Sequence, residues 1–100
     1  MRVVARNWRR REGEIDIVAR DSGTLVFVEV RSRTGEESGH PLEAITPRKL
    51  AQVVRSARVY LSEEKWEASG FRFDVVGVTF WENGRAPSLD YVRDAFVAGS

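Results

Sequence analysis

Two neighbouring stretches of the chain alternate apolar and polar residues with the period expected of half-buried β-strands. They cover residues 13–20 and 24–31, and both are rich in β-branched and aromatic residues. A short Asp-Ser-Gly turn at residues 21–23 separates them. Because alternating segments joined by turn residues are typical of a β-hairpin, this part of the chain is predicted to form one.

The turn also predicts the register of this hairpin. With a two-residue loop at the Ser-Gly step, Asp16 faces Glu29 and Glu14 faces Arg31, and these four side chains share one face. The other face is then formed by Ile15, Ile17, Val26, Val28 and Val30. A slip by a single residue would turn these apolar side chains away from one another, so the pattern favours the register that brings the charged residues together.

Three carboxylates and a guanidinium on one face of an apolar hairpin suggest two interpretations. Facing carboxylates lie about 5 Å apart at their Cβ atoms and repel each other. A divalent cation would relieve that repulsion, since Mg²⁺ binds oxygen ligands and often takes one or two carboxylates. Alternatively, the face is merely solvated, and Arg31 pairs with Glu14 and Glu29 for little net stability.

Three further segments are predicted to be strands. Residues 2–8 form a short apolar segment that ends at a tryptophan, and residues 71–80 are nearly all apolar, as in a strand buried on both faces. An Asn-Gly turn at residues 83–84 precedes a last strand at about residues 88–92. The polar segments between elements contain His40, expected on the surface, and Trp66, expected to fold back onto the core.

One helix is predicted after the polar loop at residues 32–45. Thr46 is a good N-cap, Pro47 suits the first helical position, and the helix extends to about Ser62. Its apolar stripe at helical spacing consists of Leu50, Val53, Val54, Ala57 and Leu61. Lys49 lies on the flank of this stripe away from the helix's arginines, which is either a place near the hairpin face or an ordinary surface position.

The order of these elements predicts an α/β fold with a mixed five-stranded sheet. Turns join the first three strands antiparallel, and a right-handed helical crossover leads to a parallel fourth strand. The fifth strand is antiparallel to the fourth. A chain of 100 residues is the size of a single domain, so residues 1–100 are expected to form one unit.

Composition narrows the class of protein. The chain has no cysteine, which excludes disulfides and thiolate metal sites and is compatible with a reducing cytoplasm. It has no apolar run long enough to span a membrane, so we expect a cytoplasmic protein without a membrane partner. The net charge is only +1, but basic residues cluster: residues 48–58 hold three arginines and a lysine with no acid. Arginine suits phosphate contacts.

The charged hairpin resembles the metal-binding core of the PD-(D/E)xK nucleases, the restriction-endonuclease-like superfamily. The likeness rests on Glu14-x-Asp16 followed one strand later by Glu29-Val30-Arg31. The sequence as a whole resembles the YraN-like family of bacterial proteins, predicted to be endonuclease-like. That likeness rests on ARNWRRREGEIDIVARD, LVFVEVRSR, TPRKL, FRFDVVGV and YVRDAF, which appear in order over nearly the whole chain.

This resemblance implies a function. Asp16 and Glu29, with the backbone carbonyl of Val30, would hold Mg²⁺ or Mn²⁺, and Glu14 would support these ligands without touching the metal. The protein would hydrolyse phosphodiester bonds in DNA, including branched or flapped forms. Arginines expected to hold phosphates are Arg9, Arg10, Arg48 and Arg55. The alternatives are a nucleic-acid-binding module that has lost the chemistry, and a structural protein whose acidic face only pairs arginines.

The chain departs from the resembled pattern at the position of the catalytic lysine, where it has Arg31. In that superfamily the lysine orients or deprotonates the attacking water. Arginine stabilises negative charge, but acting as a base near pH 7 would require lowering its pKa by over five units, or roughly 7 kcal/mol. Lys49 is the candidate replacement, provided that the helix packs over the Asp16–Glu29 face.

The second departure is at the N-terminus. Members of the resembled family usually have a helix before the first strand, whereas this sequence starts at the strand. Without that helix we expect an apolar sheet face to be exposed, and such faces favour association. The sequence therefore predicts a homodimer with two-fold symmetry.

Overall fold

Within the part of the chain that the structure describes, five strands and one helix follow each other in the predicted order. A computed structural model describes residues 1–35, 45–64 and 70–96. The strands are β1 (Arg2–Arg10), β2 (Gly13–Asp21), β3 (Thr24–Thr34), β4 (Gly70–Phe80) and β5 (Ser88–Phe96), and the helix is α1 (Pro47–Glu64). The predictions for His40 and Trp66 fall outside the described residues.

The strands form one mixed sheet in the order β1-β2-β3-β4-β5. β3 and β4 are parallel, and the other neighbouring pairs are antiparallel. The parallel pair needs a long connection, and α1 lies within it. The predicted α/β fold with its mixed five-stranded sheet is therefore confirmed.

The hairpin has the predicted register near its turn. Five pairs, from Asp21 with Thr24 to Ile17 with Val28, match it, and the ladder between β2 and β3 stops there. Ile15 then departs from the prediction, because it lies in the core cluster on the helix side of the sheet, as does Val18. Two strand residues three positions apart cannot share a face if the pleat is regular.

The irregularity extends to the neighbouring strand. Asn7, between the β1 residues that pair with Ile15 and Ile17, has a φ of +50°. This left-handed conformation is one that asparagine tolerates better than most residues. The expectation that Ile15 shares a face with Val26 and Val28 is therefore wrong, since the backbone of β1 and β2 changes its alternation at the level of Asp16.

The main core lies between the sheet and α1. Phe27 stacks on Phe73 with ring centroids 5.5 Å apart, and Tyr60 of α1 meets Phe27 edge-on at 5.8 Å. Trp8 contacts the same tyrosine at 5.5 Å. Fully burying side chains of this size contributes about 1.5–3 kcal/mol each, so this cluster holds the helix on the sheet.

The helix begins as predicted. The Thr46 hydroxyl accepts a hydrogen bond from the Lys49 backbone N–H at 3.1 Å, which is the contact expected of an N-cap. The predicted stripe contacts the core through Val53 and Ala57, which are buried, and through Val54 and Leu61, but the fully buried face also includes Ser56 and Tyr60. This face is rotated about the helix axis toward Lys49, which lies one turn before Val53.

Close contact with the start of β2 accounts for this rotation. A Cβ atom at Gly13 would collide with the side chains of Gln52 and Ser56, so the absence of a side chain there lets the helix approach. The Gln52 amide also donates to the Glu14 carbonyl at 3.4 Å. The helix therefore packs through its Gln52–Ser56 side, and its first turn lies toward the end of the hairpin.

The opposite face of the sheet carries a second, smaller core. Its centre, Ala19, Val26 and Val28, is at most 4% exposed. The expected exposed apolar face is therefore wrong at the centre of the sheet. Exposed apolar residues on the edge strands are Val3 and Val4 of β1 and Leu89 and Tyr91 of β5. Among the described residues, no helix is long and apolar enough to cross a membrane.

A buried carboxylate on this face is fully paired. Asp74 accepts hydrogen bonds from the Arg72 guanidinium at 3.1 Å, the Asp94 backbone N–H at 2.9 Å and the Tyr91 hydroxyl. Arg72 also contacts Asp21 at 3.0 Å. Burial and the Asp74 charge raise the pKa of Tyr91 to about 12, which keeps its hydroxyl a donor. This network has the partners that a buried charge requires, so it has a structural role.

Candidate functional site

Glu29 is the most unusual polar residue of the described structure. It lies in the middle of β3 on the helix side, and only 1% of its surface is exposed. Neither of its carboxylate oxygens accepts a hydrogen bond from a donor group of the described residues. Because an isolated buried carboxylate is strongly unfavourable, this arrangement calls for a ligand or for a bound proton. Asp74, buried just as deeply, shows the usual alternative of complete pairing.

Asp16 lies beside Glu29, where the hairpin ladder stops. Its carboxylate accepts a hydrogen bond from the backbone N–H of Val30 at 2.8 Å. The side chain thus takes a donor that the interrupted ladder leaves without a backbone partner. This bond anchors Asp16 to the residue that directly follows Glu29, so the two acidic side chains stand at one level of the sheet.

Two cations approach Glu29 from different elements. The Nη2 atom of Arg31 and the Nζ atom of Lys49 each lie 3.7 Å from the same Glu29 oxygen, Oε2. Both separations exceed normal hydrogen-bond lengths, so the pairs are electrostatic contacts only. The Nε atom of Arg31 is also buried without a partner among the described residues.

The protonation of Glu29 reflects these surroundings. Burial, and after it the negative charge of Asp16, raise the pKa of Glu29 from 4.5 to about 7, against the opposing effect of Lys49 and Arg31. Near neutral pH the carboxyl therefore exists in both forms. A group with a pKa displaced by burial and a specific neighbour is a common mark of a functional site.

The structure brings together part of the predicted set. Asp16, Glu29, Val30, Arg31 and Lys49 form the carboxylate cluster, defined by these five residues. The condition for Lys49, that the helix packs over this face, is met by its contact with Glu29.

The other predicted residues lie outside the carboxylate cluster. The Glu14 carboxylate contacts Arg9 on β1 at 3.0 Å, and Arg10 contacts Glu63 at the end of α1 at 2.9 Å. The remaining arginines assigned to phosphate, Arg48 and Arg55, are exposed on α1.

The donors of the carboxylate cluster fit a hard divalent cation. Asp16 and Glu29 would supply carboxylate oxygens, and Val30 its backbone carbonyl. In residues 1–35, 45–64 and 70–96, no three histidines or acidic residues are placed to hold a metal together. Two carboxylates remain a sufficient protein contribution for Mg²⁺, which usually keeps water and takes substrate phosphate as further ligands.

Sequence reasoning missed a shallow pocket next to the carboxylate cluster. The pocket has a volume of about 330 Å³ and is lined by Arg6, Asn7, Asp16, Ile17 and Val30. One signal could have found it: asparagine is depleted in strands, and Asn7 lies inside a strand beside a buried tryptophan. An irregular backbone at that point could have been suspected.

Fold and site together define an α/β domain in which a mixed sheet holds paired carboxylates and two cations at the end of a hairpin. Residues 1–78 match the family model described as "Uncharacterised protein family UPF0102". The chain belongs to this family, which confirms the membership predicted from its motifs.

Individual relatives agree with this assignment. A UPF0102 protein of Prosthecochloris aestuarii is 46% identical over 101 residues, which cover 97% of this chain and 80% of the relative. UPF0102 proteins of Chlorobium phaeobacteroides and Acidothermus cellulolyticus are 41% and 42% identical. Both alignments cover 96% of this chain, with 79% and 80% of the respective relative.

Proposed function

We propose that this protein is a metal-dependent phosphodiesterase that acts on DNA. The observation that carries the proposal is Glu29, a buried carboxylate that accepts no hydrogen bond from the described residues and stands beside a second carboxylate and two cations. Asp16, Glu29 and the carbonyl of Val30 would hold Mg²⁺ or Mn²⁺. When bound, the ion would polarise the scissile phosphate and lower the pKa of its water.

Electrostatics favour a cation at this position over an empty carboxylate pair. The charges of Asp16 and Glu29 oppose each other, and burial makes ionisation of Glu29 unfavourable. A divalent cation reverses this effect because it stabilises both ionised forms at once. Arg31 and Lys49 lie beyond hydrogen-bond distance, so they reduce the repulsion without occupying the carboxylate oxygens.

The two cations would have different tasks. The guanidinium of Arg31 is a planar cation with several donors, so it would stabilise negative charge that develops on the phosphate. Lys49 comes from the first turn of α1 and reaches the same oxygen of Glu29. Its ammonium is a mobile point charge with three donors, which suits it to orient the attacking water or to transfer a proton.

DNA would be held by arginines around the carboxylate cluster. Arg48 and Arg55 are exposed on the helix that carries Lys49, and they have no ion-pair partner within the described ranges. Arg9 and Arg10 are engaged with Glu14 and Glu63. Since exposed ion pairs contribute little stability, phosphate groups could replace these carboxylates as partners of Arg9 and Arg10.

A second candidate is a nucleic-acid-binding module without catalytic activity. It is favoured by arginine at position 31, where the resembled nucleases carry lysine, and by the two cations that already lie 3.7 Å from Glu29. In this case the arginines would bind phosphates, and the carboxylate cluster would only shape the surface.

Calorimetric titration with Mn²⁺ and a plasmid-nicking assay test these candidates. The wild type should bind Mn²⁺ and nick DNA, whereas Asp16→Asn and Glu29→Gln should each lose both properties and stay folded. Glu63→Gln is the matched control, because it removes one charge from an exposed carboxylate away from the cluster. Metal binding without nicking would favour the binding module, and unchanged Mn²⁺ affinity in the double variant would exclude the metal site.

A further inference from the structure

The pocket beside Asp16 has a composition and a volume that the carboxylate cluster does not explain. Its lining is mainly apolar, and Ile17 and Val30 lie there beside Arg6 and Asn7 of the edge strand β1. A volume of about 330 Å³ lies at the lower end of the range for ligand sites. An apolar lining with a few polar groups is the usual composition of such sites.

We propose that this pocket binds one unpaired nucleobase, and that the substrate is DNA with a single-stranded nucleotide at the cleavage position. The inference rests on the proposed function and deepens it, because Asp16 belongs both to the pocket and to the carboxylate cluster. Ile17 and Val30 lie on the face of the sheet opposite Glu29, so Asp16, at the point where the ladder between β2 and β3 stops, is the residue that links the pocket to the cluster.

The chemistry of the lining matches a base better than a phosphate. Ile17 and Val30 offer an apolar surface for a flat ring, and a guanidinium such as that of Arg6 stacks on bases. The Asn7 amide has both donors and an acceptor for the edge of a base. A phosphate placed there would meet the negative charge of Asp16, whereas a base would meet a hydrogen-bond acceptor.

The proposal also limits the form of the DNA. A base inside a duplex is stacked and paired, so it can enter a side pocket only after it leaves the helix, which costs a few kcal/mol. An unpaired base has no such cost. The protein should therefore prefer single strands and flaps to continuous duplex.

The backbone at Asn7 permits a clean variant. Asn7 has a φ of +50°, which glycine adopts without strain, so Asn7→Gly removes the amide and retains the backbone conformation. Arg6→Gln removes the guanidinium. Arg2→Gln is the matched control, because it removes one arginine charge from the same strand outside the pocket.

The experiment measures fluorescence anisotropy of a labelled oligothymidylate, on the order of 12 nucleotides long, and of the corresponding strand with abasic sites. Titrations use the full chain with EDTA, so that neither metal binding nor cleavage affects the result. The wild type should bind the oligothymidylate about tenfold more tightly than the abasic strand, as expected for stacking of one base. Arg6→Gln and Asn7→Gly should reduce this ratio, and Arg2→Gln should not.

Equal affinity of the wild type for the two strands would overturn the proposal. So would an equal effect of Arg6→Gln and Arg2→Gln on the oligothymidylate, because the guanidinium would then act only through its charge. The proposed function is tested by a separate measurement and would be contradicted if the wild type neither bound Mn²⁺ nor nicked DNA. A base-dependent ratio found in a protein that does not bind Mn²⁺ would support the pocket and contradict the nuclease.

Discussion

Glu29→Gln tests the unusual environment of this residue through the pH dependence of stability. In the unfolded chain the glutamate ionises near its ordinary pKa of 4.5, but in the folded protein it keeps its proton up to about pH 7. Between these values the folded state binds more protons than the unfolded state. Raising the pH must therefore lower the free energy of unfolding.

The size of this effect follows from the two pKa values. A difference of about 2.5 pH units, at 1.36 kcal/mol per unit, corresponds to about 3 kcal/mol. The free energy of unfolding of the wild type should be lowered by this full amount above pH 7 and should not be lowered below pH 4. Glutamine does not titrate, so the variant should lack this component while keeping all others.

The measurement is urea unfolding of both proteins at pH values from about 4 to 8, with the difference in unfolding free energy taken at each pH. Titrating groups that do not interact with Glu29 are common to both proteins and cancel. The difference should shift in favour of Glu29→Gln by about 3 kcal/mol across this range. Curves that run parallel from low to high pH would refute the environment inferred for Glu29.

Two controls test whether the pH dependence comes from Glu29 itself. Glu14→Gln removes an exposed carboxylate from the same hairpin and should leave the pH dependence close to that of the wild type. Mg²⁺ at pH 8 should restore part of the lost stability in the wild type only. Binding to the folded state adds about 2.7 kcal/mol when the free metal is 100 times its Kd.

Three further results are expected. Lys49→Ala should lower DNA cleavage about a hundredfold with little loss of DNA affinity, which is the size expected for a positioned acid–base group. Arg31→Lys should cleave at least as well as the wild type. Normal cleavage by Lys49→Ala would exclude an acid–base role for Lys49. When Arg48 and Arg55 are both replaced by alanine, the slope of log K against log salt for duplex binding should become shallower by about 1.8, because each phosphate contact contributes about 0.9. An unchanged slope would mean that DNA binds to a surface without these two arginines. Sedimentation at tens of micromolar should show a dimer formed through the apolar residues of the edge strands, and a monomer would contradict this.

Local features of the chain were enough to predict most of the fold. The turn at residues 21–23 and the alternation on both sides of it predicted the hairpin register near the turn, because both are properties of neighbouring residues. Thr46 and Pro47 predicted the start of the helix for the same reason. The parallel fourth strand followed from connectivity, since a helix between two strands favours a crossover.

The carboxylate cluster was predicted only in part. Asp16, Glu29 and Arg31 could be grouped from their spacing within the hairpin. The regular register directs Glu14 toward Arg31, whereas its carboxylate contacts Arg9 of β1, a contact that spacing within the hairpin does not reveal. The change of alternation at the level of Asp16 involves β1 and β2 together, and the sequence of neither strand alone predicts it.

Only the tertiary structure decided where Lys49 lies. The apolar stripe of the helix is wide enough to pack in more than one rotation about its axis, so the sequence pattern left the flank of Lys49 undetermined. The close approach of Gln52 and Ser56 to Gly13 selects one rotation, and that rotation directs the first turn of α1 toward Glu29. Contacts between residues far apart in the chain thus determine whether the carboxylates have a second cation, because no local pattern encodes a helix's rotation against a sheet.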